Sequence, residues 1–164
     1  MPGWIGHNIN ISITTDIKTN ISLAPPCDSL SAEINNDLSL LVSKAHSSQG
    51  SIVGELASES RMLQINTLSG FGSNKTGNLA SSITIENNGN SAMVGTDLYY
   101  ASYVEEGRGS ITATGKALHF YLDGAEVFVK SVGPASPRPF VATSYGLLES
   151  RADAIVDRYM SSLL

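Results

Sequence analysis

The sequence predicts an α+β protein: a mostly antiparallel sheet of about four strands, packed by a long N-terminal helix and a C-terminal helix, with an extra β arm in front. Three observations carry that class. Apolar residues recur at three- and four-residue spacing over about 29–68 and again over about 139–163, the period of a one-sided helix. They alternate with polar residues in two hairpin-like stretches, near 82–96 and 116–132, each divided by an Asn- or Asp-plus-Gly turn. With 164 residues, 41% of them hydrophobic, the chain is sized for one core, so residues 25–164 are expected to form one domain and residues 1–24 an N-terminal β arm or edge strand.

Taken in order, Ile9, Ile11 and Ile13 alternate with polar neighbours, and Ile17, Ile21 and Leu23 continue the pattern past a break at Thr14-Thr15-Asp16. This stretch is expected to complete the sheet as an edge strand or hairpin; the alternative is an arm that adds a strand to a neighbouring subunit. Pro25-Pro26 makes a stiff joint after it. Asp28 or Ser29 can cap the next helix, whose stripe runs Leu30, Ile34, Leu38, Leu41, Val42, Ala45. Ser47-Ser48-Gln49-Gly50-Ser51 weakens it before a second apolar set at Ile52, Val53, Leu56, Met62 and Leu63, so a bend or break is expected near Gly50. Ser69-Gly70-Phe71-Gly72 ends the helix, because glycine adopts the left-handed cap.

The stretch from Thr76 to Gly109 organises the rest. Thr76-Gly77-Asn78-Leu79 is a polar turn leading into Ser82–Glu86, where Ile83 and Ile85 alternate with polar residues. Asn87-Asn88-Gly89-Asn90 reads as a hairpin turn, and Ala92–Thr96 as the returning strand. Tyr99 to Gly107 is dense in aromatic surface and closes on Gly107-Arg108-Gly109. Ser110–Gly115 reads as a polar, mobile loop, a candidate for ordering only on assembly. Lys116–Leu122 and Glu126–Val132 are expected strands joined through Asp123-Gly124. Pro134, Pro137 and Pro139 keep their segment out of a helix interior and deliver the chain to the last helix, with Pro139 suited to its first turn.

Four pieces of this order, Thr76-Gly77-x-Leu79-x-x-Ser82-Ile83, then Val94-Gly95-Thr96, then Tyr100-Ala101-x-Tyr103-Val104-Glu105-x-Gly107, then Pro137-x-Pro139-Phe140, resemble the neck or tail-component proteins of long-tailed bacteriophages, the family of the Hong Kong 97 phage gene product ten. The resemblance covers roughly residues 30–160. It implies a small α+β protein at the head–tail junction of a virion, without catalysis, made in the host cytoplasm and incorporated at the neck or tail top. It also implies a homo-oligomeric ring contacting adjoining connector and tail proteins.

Composition fits such a role. Charged residues are 15% of the chain, below the roughly 25% of ordinary soluble domains, so copies repel one another weakly. The net charge is −5 and the ten basic residues are scattered, which offers no nucleic-acid stripe. Non-specific proximity to DNA in a channel is compatible with this, since a channel that lets DNA slide gains nothing from tight phosphate contacts. One cysteine, Cys27, forms no internal disulfide. No run approaches 18 apolar residues, and the N-terminus lacks the charged start and long apolar run of a signal peptide, so a soluble protein without a membrane partner is expected.

Catalytic chemistry finds little purchase. Glu105 and Glu106 are adjacent, so they cannot flank one glycosidic bond; an ion pair of Glu105 with Arg108 or Arg138 and a solvated Glu106 is the expected alternative. Phe71–Thr76 lacks the two glycines of a phosphate loop. His7, His46, His119 and Cys27 show no metal-ligand spacing, and no Gly-x-Ser-x-Gly elbow occurs. No metal, cofactor or small-molecule substrate is therefore expected. A small hydrolase directed at cell-wall material and a tail-tube terminator are the two alternatives to a neck protein. The interface candidates are Tyr99, Tyr100, Tyr103, Glu105, Arg108, Ile111 and Arg138. Tyrosine offers large area at low entropic cost, although burial under the sheet is an equal alternative for at least one of the three.

Overall fold

The computed structural model describes residues 8–12, 28–72, 77–122 and 124–162. The expected strand over Ile13–Leu23, the Pro25-Pro26 joint, Cys27, His7 and Thr76 lie outside the described residues, as do the side chains of Asp28 and Ser29. In chain order the elements are β1 (Asn8–Ser12), α1 (Asp28–Gly70), α2 (Asn78–Ser82), β2 (Thr84–Asn87), β3 (Ser91–Gly95), α3 (Ala101–Glu106), β4 (Ile111–Thr112), β5 (Leu118–Leu122), β6 (Ala125–Val129), β7 (Ser131–Val132) and α4 (Phe140–Ser161). The class is α+β, with a long N-terminal helix, a C-terminal helix and small antiparallel sheets.

Helix α1 passes through Gly50 without the expected interruption. Tertiary packing outweighs the weak local propensity there. Gln49, Ile52, Val53 and Leu56 are buried, and the β2–β3 turn lies over the helix, with Gly89 O within 3.6 Å of where a Gly50 Cβ would stand. The stripe continues through Ala57, Ser60, Leu63, Gln64 and Leu68, all buried. The helix ends as expected at a left-handed glycine, Gly72 with φ 62, whose N–H donates to Ser69 O.

Against α1 lies a three-stranded sheet in the order β1-β3-β2, all antiparallel. Central β3 buries Ala92 and Val94; β1 sets Ile11 opposite Ala92 and Ile9 opposite Val94. Thus Asn8–Ser12 completes the sheet of its own chain as an edge strand. Gly77, at φ 75, leads into the one-turn helix α2, so β2 starts at Thr84, with Ile83 fully buried just before it. Asn87 Oδ1 accepts the Gly89 N–H at 2.8 Å and Gly89 takes φ 83, which makes the expected hairpin turn.

Helix α4 packs on the C-terminal part of α1 and runs antiparallel to it: Arg151 pairs with Glu59, and Arg158 with Glu55. Phe140, at 0% exposure, and Val141, Ser144 and Leu148 face the core. The 116–132 hairpin forms, but it does not extend this sheet. Strands β5 and β6 pair with each other, and β4 pairs with β7. The expected four-stranded sheet is therefore divided into one three-stranded sheet and two short ladders.

The expected loop 110–115 is in part a strand. Ile111 pairs with Val132 and Thr112 with Ser131, and Ala113 N–H donates to Lys130 O at 2.9 Å. Below them Arg108 and Ala135 exchange both backbone hydrogen bonds. Above them Leu118 pairs with Val129 and Leu122 with Ala125. The two ladders thus follow one another along one antiparallel ribbon, shifted in register by four residues at 114–117, with Gly124 at φ 83 just before β6.

Candidate functional site

The residues carrying the sequence resemblance meet at two joints. At the first, Ser82 Oγ and Thr96 Oγ1 lie 2.7 Å apart, and Thr96 Oγ1 accepts the Leu98 N–H at 3.2 Å. Buried Thr96 thereby ties the end of β3 to the end of α2 and turns the chain towards the tyrosines. The buried Ile83 and Val94 beside it belong to the core.

The second joint lies where α3 meets the start of α4. Pro139 precedes α4 and offers no side chain to cap it, so the first N–H groups of the helix need acceptors from elsewhere. Glu105 supplies them. Its carboxylate accepts Val141 N–H at 2.9 Å and Ala142 N–H at 3.0 Å, and the residue is 6% exposed. A carboxylate at a helix N-terminus also meets the positive end of the helix dipole. Both oxygens of Glu105 are thus taken by backbone donors, partners that sequence spacing gave no means of seeing.

Gly107 completes this joint. It takes φ 76, and a Cβ there would stand 2.5 Å from Ala135 O and 2.9 Å from Pro137 N. Only glycine fits between the end of α3 and the proline segment. Arg138 N–H donates to Val104 O at 2.8 Å alongside.

The interface candidates divide accordingly. Tyr99 is 70% exposed and Tyr103 54% exposed. Tyr100 is half-buried against the core and meets Tyr99 edge-to-face at 5.6 Å, so of the three it alone turns towards the core, without full burial. Tyr103 and Arg138 line a shared surface groove of about 380 Å³ with Val104, Pro134, Ala135 and Ser136. Ile111 is exposed on β4. Arg108 is half-buried, with its guanidinium donating to Gly109 O at 3.3 Å. Glu105 is withdrawn from any outside partner by its burial and its two backbone bonds.

Sequence reasoning gave no role to the aromatic side chains of the ribbon. His119 stacks on Phe128 at 4.5 Å and bonds Glu126 Oε1 through Nε2 at 2.8 Å; Tyr121 leans on His119 at 5.5 Å. Tyr121 and Phe128 are 68% and 62% exposed. The strand alternation was legible in the sequence; that, among the described residues, β5 and β6 pair only with each other was not.

Ionisable groups also converge in a groove of about 300 Å³ between α1 and α4, lined by Glu55, Glu59, Arg151 and Arg158. Each glutamate is bonded to one arginine, so the four groups fasten the two helices. The Glu55 side chain, hydrogen-bonded to Tyr159, raises that phenol above its ordinary value. Among the described residues no three His, Cys, Asp or Glu side chains come together as a metal site, and no helix is long and apolar enough to cross a membrane. Compared with models of protein families, with curated proteins and with solved structures, the chain matches none.

Proposed function

We propose that the chain is a structural virion protein of a tailed phage or provirus, acting at the neck or tail top by assembling into a ring that joins the head connector to the tail. The observation that carries this reading is the use made of the resemblance residues. Ser82 and Thr96 tie one joint and Glu105 and Gly107 the other, so these residues hold a scaffold together. What the scaffold leaves outward is aromatic and aliphatic: Tyr99, Tyr103, Ile111, Tyr121 and Phe128. Binding to sister copies and adjoining virion parts is the work such surface suits. Closed cyclic symmetry would then fix the copy number.

Proteomics of purified particles tests this reading. Recovery of the chain in stoichiometric amounts with the head connector and tail proteins is the expected result; absence from mature virions contradicts it. A tail-tube terminator would occupy a different ring, so the position of the density in the same particles distinguishes it from a neck protein.

A further inference from the structure

We infer that the core binds one water molecule, held between Ser60 Oγ and Gln64 Oε1 where α1 packs against β3. This site is independent of the ring-forming reading above.

Both side chains are completely enclosed, at 0% exposure. Neither oxygen has a hydrogen-bond partner among the described residues. Leaving a buried polar atom in that state costs roughly five- to a hundredfold in the folding equilibrium. Native proteins therefore pair nearly all such atoms, with protein groups or with ordered water.

The surrounding protein offers no substitute. Ser58 and Ser69, on the same helix, donate to Gly54 O and Ile65 O one turn back. Ser60 makes no such bond, which leaves its hydroxyl for another partner. Gln64 Nε2 donates to Val94 O at 3.4 Å, a long bond for N–H···O. Turning the amide over would set Oε1 against that carbonyl oxygen and strand Nε2 instead. The orientation is thus fixed, and Oε1 needs a donor from elsewhere.

The spacing suits a single bridging molecule. Ser60 and Gln64 are four residues apart on continuous α1, so they share a face with Cβ atoms about 5–6 Å apart. One oxygen about 2.8 Å from each side-chain oxygen spans such a gap.

The chemistry selects the ligand. The Gln64 oxygen only accepts, while the Ser60 hydroxyl donates and accepts, so the bridge must itself donate. Both side chains are neutral. Among the described buried residues the one ionised group is Glu105, whose oxygens are taken by Val141 and Ala142 N–H. A cation would lack anionic ligands there. Complete burial leaves no opening for an organic molecule. Water meets every condition, and it holds the Gln64 amide in the orientation that donates to Val94 O, two residues before the Thr96 joint.

The test joins a crystal structure of the full chain, at a resolution that shows ordered waters, with urea titrations of four variants. The variants are Ser60→Ala, Gln64→Met, both together, and Ser58→Ala as an exposed control. The expected density is one peak within hydrogen-bond distance of both oxygens. Ser60→Ala takes a partner from the water beside Gln64 and should lower the folding equilibrium constant about tenfold. Added on top of Gln64→Met, the same change should cost less than about twofold, because no amide oxygen is left to serve. Ser58→Ala should also stay within about twofold. Absence of the peak overturns the site. So does a Ser60→Ala chain as stable as the parent or more so, or an equal effect of Ser60→Ala with and without Gln64→Met.

Discussion

Glu105 shows how one side chain can set the relation between two elements. It lies 36 residues from the helix it caps, yet its two oxygens satisfy Val141 and Ala142 N–H inside a nearly closed environment. Hydrogen bonds to a charged group are worth about 1.5–3 kcal/mol each way of counting, and here the donors would be left without an acceptor. Glu105→Ala should therefore lower unfolding free energy by about 2 kcal/mol in urea titration, with the start of α4 losing hydrogen-exchange protection first. A loss below about 0.5 kcal/mol would mean that the cap contributes nothing beyond an ordinary surface change. The sequence singled out Glu105 beside Glu106 and suggested a cation, Arg108 or Arg138, as its partner. It could not show the partner, because backbone donors leave no mark on residue identity.

At the scale of elements, the periodic signals translated well and the breaks did not. The 3.6-residue stripe placed both long helices to within a few residues, and the turn signals at Gly89 and Gly124 placed both hairpins. The interruption expected at Gly50 is absent because burial of Gln49, Ile52 and Val53 carries the helix across it. Gly50 is therefore a mid-helix glycine with only ordinary contact at its Cβ position, 3.6 Å from Gly89 O. Gly50→Ala should raise stability by about 0.5–1 kcal/mol, read as an upward shift in Tm. A loss would mean that α1 bends at this point. Ser110–Gly115 was misread for a related reason: Thr, Ser and Gly look like loop composition, but Ile111 and Thr112 have a partner strand 20 residues away, which composition cannot reveal.

Across the whole molecule, apolar residues do two jobs that a sequence pattern leaves undistinguished. Phe140 is fully enclosed by the core, whereas Phe120 sits on the ribbon outside it. Phe140→Ala should cost about 3–5 kcal/mol by loss of transfer energy plus the cavity left behind. Phe120→Ala should stay within about 0.5 kcal/mol in the isolated chain, as a substitution away from packed features does. Paired urea titrations read both values, and similar losses would mean that the ribbon belongs to the core. Alternation made Lys116–Leu122 an expected strand of the main sheet; in the observed topology β5 pairs with β6 instead.

The most direct measurement is a cryo-EM map of the neck and tail top of particles that contain the chain. The expected result is a closed ring of copies between head connector and tail, with Tyr99, Tyr103 or the 118–129 ribbon lying in contacts between neighbours. A map in which the chain is missing from that region, or in which these aromatic surfaces face open solvent in every copy, would contradict a binding role for them.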